Sequence, residues 1–284
     1  MLEERALTLA DIPVALALST EAGWNQSAAD WALLLTFGRG FALLGPDASI
    51  VATAVVVPYE RRFAWIGMVI VTAAFRRLGL ATRLLQRCIT TICASGAVPV
   101  LDATPAGREV YRKLGFVDTW ELQRYAGAGM ARAATASAAE ARIRRLNPAD
   151  LEQLRAFDGD AFGADRFALL DRLRENLPEA ALVAEHADGT LAGMAFQRPG
   201  RTATQIGPVI AADARVALAL IAHAVRTTSG SLLIDVPLEH TRVNEWLEAQ
   251  GFAVERPLTR MQYDVATPFG RLDRTFAIAG PEIG

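Results

Sequence analysis

Apolar residues change their spacing repeatedly along the chain. Leu80, Leu84, Cys88 and Ile92 recur four apart, with Leu85 and Ile89 beside them, which predicts an amphipathic helix over 79–94. Elsewhere they run together. "GFALLG", "SIVATAVVVPY" and "FAWIGMVIV" read as strands, and "WIGMVIV" is continuously apolar, as a strand buried on both faces should be. Helical stretches "ADIPVALALSTEA" and "ADWALLLTF" precede these strands. A strand "VPVLDA", a helix over 106–114 and a last strand after Gly115-Phe116 follow the 79–94 helix. Strands alternating with helices in this way predict an α/β (α+β) layered domain.

The pattern is written twice. "IGMVIV" from Ile66 answers to "IGPVIA" from Ile206, and "VLDATP" to "LIDVP". "KLGFVDTWELQR" ends the first block and "AQGFAVERPLTR" the second, with Arg124 and Arg260 at the same distance from Gly-Phe. Matches in the same order predict a duplication. The expected divisions are a first domain over 1–125, an Ala/Gly-rich linker over 126–141, a second domain over 142–266, and 267–284. The stretch "TFAIAGPEIG" is too apolar to be left free, so it is expected to dock.

Composition narrows the function. The chain has 284 residues and a formal net charge of −2, room for two domains and no general field for nucleic acid. The opening "MLEERALTLADIP" lacks the apolar core of a signal peptide, and no apolar run is long enough for a membrane span, so a cytoplasmic protein is expected. Cys88 and Cys93 have neither metal-ligand nor redox spacing. The three histidines (His186, His223, His240) all lie in the second half, which excludes a His-rich metal site in the first; no metal is expected.

"FRRLGLATRLL" (75–85) places a glycine where a buried strand turns into a helix, although glycine disfavours helix. A helix start exposes unpaired N–H groups and partial positive charge, which suit a phosphate. Gly79 and Ala81 keep side-chain bulk away, and Arg76 and Arg77 add charge. No G-x-x-x-x-G-K-[ST] loop and no G-x-G-x-x-G followed by an acidic ribose ligand is present.

Arg76-x-x-Gly79-x-Ala81, with Tyr111, Gly115 and Phe116 of "VYRKLGF" downstream, resembles the two signatures of the GNAT superfamily of N-acetyltransferases. The resemblance covers 1–125 well and extends to a bacterial group of two-domain members. It implies two tandem domains, each a mixed, mostly antiparallel sheet with a splayed central strand pair flanked by helices. It implies acetyl-CoA as co-substrate, with Val69, Ile70 and Val71 pairing the pantetheine arm. Arg76, Arg77, Leu78, Gly79, Leu80, Ala81 and Thr82 would hold the pyrophosphate. Tyr111 would be the general acid for the leaving thiolate, against the plainer reading of a core aromatic. Two departures stand out. Thr104 occupies a place where many members carry Asn, and Gly67 a place where many carry a glutamate acting as base. Asp102, Asp30 and Glu21 are the alternative carboxylates.

The second block keeps only Arg215 of the basic pair, has no glycine at the turn, and carries Leu247 at the tyrosine position. It is expected to be a scaffold that contributes some wall to the acceptor pocket. In "GWNQSAADW", Trp24 and Trp31 are either core or an aromatic wall with Asn25 as a polar handle; Asp30 falls in the first turn of a helix. The leading expectation is an acetyl-CoA-dependent N-acetyltransferase acting on a small-molecule amine, monomeric or homodimeric. The alternatives are a non-catalytic coenzyme A-binding or sensor protein, and an acyltransferase using a longer acyl donor.

Overall fold

The structure, a computed structural model, describes residues 2–129 and 141–284. Most of the linker expected at 126–141 therefore lies outside the described residues, and 126–128 continue a strand. The first copy contains, in chain order, β1 (Glu3–Leu7), α1 (Ile12–Glu21), α2 (Ala28–Phe37), β2 (Arg39–Leu44), β3 (Ile50–Tyr59) and β4 (Phe63–Val71). α3 (Leu80–Cys93), β5 (Val98–Ala103), α4 (Pro105–Lys113) and β6 (Phe116–Ala128) complete it. The second copy runs β7 (Arg142–Arg145), α5 (Leu151–Phe162), α6 (Phe167–Glu175), β8 (Leu182–Glu185), β9 (Leu191–Pro199) and β10 (Thr204–Ala211). It continues with α7 (Ala214–Thr227), β11 (Ser231–Pro237), α8 (Thr241–Ala249), β12 (Ala253–Tyr263) and β13 (Thr275–Ala277).

Local chemistry explains the helices. α3 buries Leu80, Leu84, Leu85, Cys88 and Ile92, the stripe its spacing predicts. α2 starts at a capping box in which Ser27 and Asp30 satisfy each other's backbone N–H groups. α4 starts at Thr104, whose hydroxyl accepts from Gly107 N, with Pro105 in the first position. β1 was not anticipated, because it is a short edge strand that buries only Leu7 and so carries no apolar run. Among the described residues, no helix is long and apolar enough to cross a membrane.

Two compact units result, and they do not follow the linear division. One comprises Met1–Asp118, Arg260–Ala266 and Pro281–Gly284; the other, Thr119–Thr259 and Thr267–Gly280. The expected cut at 266 is therefore corrected, since 260–266 and 281–284 belong with the first copy's core. In the first unit the order β1-β2-β3-β4-β5 is antiparallel up to β4, parallel from β4 to β5, and continues into β12. In the second the order is β6-β11-β10-β9-β8-β7, with β13 added on β10. Most of β6, from the first repeat, thus belongs to the second unit, and the end of β12, from the second repeat, belongs to the first.

The physical reason lies in two matched ion pairs. Arg260, from the second repeat, makes two hydrogen bonds of 2.9 and 3.0 Å to Asp102 of the first, with its guanidinium 4.4 Å from the Trp65 ring centroid. Arg124, from the first repeat, binds Asp235 of the second at 2.7 and 2.8 Å, directly across the β6–β11 ladder. Both pairs are buried, and a fork of donors facing a carboxylate fixes strand register as well as charge balance. Asp102 is thus corrected from candidate base to structural partner of Arg260. Removing one member of such a pair takes the charge-balancing partner from a buried group. Asp235→Ala is accordingly expected to lower unfolding stability by about 3–5 kcal/mol in a denaturant titration. A loss below about 1 kcal/mol would mean that the pair does not hold β6 in the second unit.

Candidate active site

β4 starts beside β5 and then leaves it. Their parallel ladder covers only Phe63 to Trp65. Further along, Val55 pairs with Gly67 and Thr53 with Ile70, so Met68 and Val69 together oppose Ala54 in a β-bulge. Met68 adopts φ +54, and its carbonyl accepts a 2.9 Å hydrogen bond from the Thr53 hydroxyl. The burial expected on both faces therefore holds only as far as Met68; Val69 and Val71 are half-exposed, whereas Ile70 stays buried. An open strand edge of this kind accepts an extended, amide-bearing ligand as an added strand.

The turn after β4 ends at Gly79, which caps α3 with φ +77 and no side-chain hydrogen bond; Arg77 is also left-handed, at φ +62. The helix's backbone bonding starts with Arg83 N donating to Gly79 O, so the N–H groups before it have no partner within the helix. A Cβ built on Gly79 would meet nothing within 4 Å. Glycine here serves the backbone conformation and leaves the space in front of the N–H groups clear. That space is a cleft of ≈ 320 Å³ lined by Val69, Val71, Phe75, Arg76, Arg77, Gly79, Leu80, Ala81, Thr82 and Val110. Strand edge and helix start thus open on one cavity. These residues fit a diphosphate joined to an extended amide arm.

Glu21 holds this turn. Its carboxylate accepts from the Thr72 hydroxyl (2.7 Å) and from Ala73 N (2.6 Å), and Arg76 Nη2 lies 3.7 Å away. The Thr72 hydroxyl first, then the Ala73 N–H and the Arg76 charge, hold its carboxyl below the usual carboxylate range. Glu21 therefore anchors the turn. Arg76 Nε also donates to Val71 O at 3.0 Å, which orients the side chain along the cleft.

The remaining sequence-predicted residues fall in different places. Leu78 is 65% exposed and does not line the cleft. Thr104 spends its hydroxyl on the cap of α4. Tyr111 packs 6.1 Å from Phe116, centroid to centroid, and its ring covers Gly107, where a Cβ would approach it to 2.9 Å. Burial pushes its phenol up to about 12, so it remains a protonated donor throughout the physiological range. Asp30 accepts from both Ser27 N and Ser27 Oγ and is corrected to a capping residue. Trp31 is fully buried, with its indole N–H donating to Ser19 Oγ at 3.2 Å, a core residue rather than a pocket wall. Trp24 is half-buried and Asn25 buried in the connection between α1 and α2. Among the described residues, no group of histidine, cysteine or acidic side chains is arranged to hold a metal.

In the second copy both ligand features are filled by the chain itself. β10 carries the same bulge, between Ile206 and Val209, and pairs in parallel with β11 only up to Ile206. Beyond that point β13 pairs with Val209 and Ile210, occupying the edge that β4 leaves open. Only Ala212 and Asp213 separate β10 from α7, and Asp213 caps the helix by accepting from Arg215 N (2.7 Å) and Val216 N (3.0 Å). A carboxylate thus sits where the first copy presents free N–H groups. Leu247, at the tyrosine position, is fully buried in the core. Asp213 directly before a helical pattern was a readable capping signal; the apolar run that holds β13 signalled docking but not its partner strand, which is distant in sequence.

One further residue escaped the sequence reading. The carboxylate that the family resemblance expects at 67 is absent, and Glu282 packs on Gly67, its Cα 2.9 Å from where a Cβ would stand. Trp65 Nε1 donates to Pro281 O at 3.0 Å and the Tyr59 hydroxyl to Ile283 O at 2.7 Å, so residues 281–283 are docked along β4.

Comparisons with known proteins agree with this construction. Residues 16–116 match the acetyltransferase (GNAT) family, and residues 154–277 match an acetyltransferase (GNAT) domain. The chain is 30% identical over 238 residues to "Uncharacterized N-acetyltransferase YitH" of Bacillus subtilis (strain 168), covering 84% of this chain and 83% of the relative. A putative acetyltransferase from Pyrococcus horikoshii shares the fold with a TM-score of 0.81 at 20% identity, over 100% of this chain and 96% of that one. A GCN5-related N-acetyltransferase from Sphaerobacter thermophilus does so with a TM-score of 0.65 at 17% identity, over 95% and 98%. With two repeats of one layered fold and a signature helix start after a splayed, bulged strand, the chain belongs to the GNAT acetyltransferase family and carries two such domains in tandem.

Proposed function

We propose that the protein is an acetyl-CoA-dependent N-acetyltransferase acting on a small-molecule amine, with one working site, built by the first copy. The observation that carries this reading is the contrast between the copies. The first leaves its helix start and strand edge free around one cleft, while the second closes both with Asp213 and β13. When bound, the co-substrate supplies an acyl thioester. Leu80, Ala81 and Thr82 present backbone N–H groups, and Arg76 and Arg77 positive charge, to its diphosphate. Val69 and Val71 offer their strand edge to its amide arm. The bulge at Met68 turns the backbone at the mouth of this track, where fixed N–H dipoles polarise a carbonyl. Tyr111 holds a phenolic proton for the leaving sulfur.

Calorimetry with acetyl-CoA should give one site per chain; two equivalent sites would overturn the assignment to the first copy. Release of free thiol is then measured with putrescine, lysine, glucosamine and aniline as acceptors, and with acetyl and longer acyl donors. Thiol release that depends on an amine supports the reading. Tight binding with no release from any of them would identify a non-catalytic coenzyme A-binding protein.

A further inference from the structure

Ala64, Ile66, Val69 and Val71 pack with Leu80 and Leu84 of α3. Trp65 and Gly67, alternating with Ala64 and Ile66, face the other side of β4. On that side, immediately before the bulge, the strand carries no side chain of its own at 67. The space is taken by the backbone and Cβ of Glu282, at 2.9–3.0 Å from the Cβ that Gly67 lacks. Glycine at 67 is thus what allows residues 281–283 to lie on the strand, and their docking brings in a carboxylate.

Glu282 as a residue is 4% exposed, and its carboxylate accepts a 3.0 Å hydrogen bond from Gln26 Nε2. Gln26 is itself only 7% exposed, and its other amide atom, Oε1, is buried with no hydrogen-bond donor among the described residues. A buried carbonyl left without a donor is costly unless a ligand supplies one. Two acceptor groups, one of them anionic, stand together beside the bulged strand. Acceptors alone recognise an N–H donor, and an anionic pair favours a protonated amine over a neutral alcohol.

We propose that Glu282 is the base that receives the acceptor amine's proton and that Gln26 Oε1 takes one of its N–H bonds. The proposal rests on the N-acetyltransferase reading above. An alkylammonium gives one proton to the Glu282 carboxylate, and the freed nitrogen lone pair attacks the thioester carbonyl carbon. The C–N bond forms and the C–S bond breaks, with the electron pair leaving on sulfur. The second nitrogen proton is lost as the amide forms and ends on the departing sulfur, which the Tyr111 hydroxyl hydrogen-bonds while the C–S bond breaks. Glu282 returns its proton to solvent, so the sum is ammonium plus thioester giving amide, thiol and one proton.

The test uses the full chain, acetyl-CoA and whichever alkylamine of the panel gives the fastest thiol release. Glu282→Gln keeps the shape and the acceptor for Gln26 Nε2, so its melting temperature and acetyl-CoA affinity should match wild type. Its kcat/KM at pH 7 should fall by ~10²-fold, the lower end of general-base effects. The deficit should shrink as pH approaches the amine's own pKa, about 10 for an alkylamine, where solvent removes the proton instead. Gln26→Leu should raise KM for the amine with little change in kcat. A Glu282→Gln activity within threefold of wild type at pH 7, a deficit constant with pH, or an unchanged KM in Gln26→Leu each overturns the proposal. If wild type binds acetyl-CoA but turns over no amine, the parent reading fails and this one with it.

Discussion

Gly79→Glu is expected to abolish acetyl-CoA binding while the protein stays folded. Two terms act, and they differ in size. The first is backbone strain, because residue 79 sits at φ +77, where a non-glycine side chain costs roughly 1–2 kcal/mol. No neighbour within 4 Å adds a clash, so the fold should survive this cost. The second is electrostatic. A carboxylate at the start of α3 both accepts from the free N–H groups and repels a diphosphate. Two unit charges 4 Å apart near a protein surface interact by about 4 kcal/mol, equivalent to ~10³-fold in affinity. The second copy has carried out a similar substitution with Asp213 at the head of α7. Calorimetry on the variant, with Gly79→Ala as the control for strain alone, separates the terms. Alanine should weaken binding modestly and glutamate eliminate it; wild-type affinity in Gly79→Glu would remove the helix start from the site.

Tyr111→Phe should reduce turnover by ~10²- to 10⁴-fold, the contribution usual for a general acid, with acetyl-CoA affinity barely changed. The ring's contacts with Phe116 and Gly107 persist in phenylalanine, so packing is kept and only the phenolic proton is lost. The pH dependence has a definite sign. Burial raises the phenol to about 12, so its proton is present below that value and is lost only above it. A thiol near 8.5 is a much stronger acid than such a phenol, so full transfer to a thiolate is uphill, and Tyr111 acts by hydrogen-bonding sulfur as the bond breaks. Turnover should therefore show no Tyr111-dependent loss between pH 7 and 10. Thiol release in Tyr111→Phe within about twofold of wild type would return the residue to the role of core aromatic.

Much of the fold was legible because its signals are local. The α3 stripe, the N-cap at Thr104 and the capping box at Ser27 and Asp30 each depend on residues within one or two helical turns. The repeat was legible for a different reason, since matched segments in matched order need no structure to be recognised. The carboxylates were harder. Asp102, Asp30 and Glu21 were equivalent as letters, and they separate only by partner: Arg260, the α2 cap, and the Thr72–Ala73 turn. Each has a structural task that only the folded chain reveals.

By itself the sequence determined the two-fold repetition, the layered α/β class, the phosphate-suited turn at Gly79, and the loss of that turn in the second copy. These follow from period, glycine placement and charge over short stretches, where backbone sterics and side-chain spacing act directly. Only the tertiary structure decided which strand completes which unit, because Arg124 and Arg260 each have their carboxylate more than a hundred residues away. It likewise decided that β13 fills the edge of β10, and that Glu282 reaches Gly67 from the far end of the sequence. A missing side chain reads in the sequence as a gap. What fills the gap depends on contacts that form once the whole chain has folded and paid the entropy of closing its longest loops.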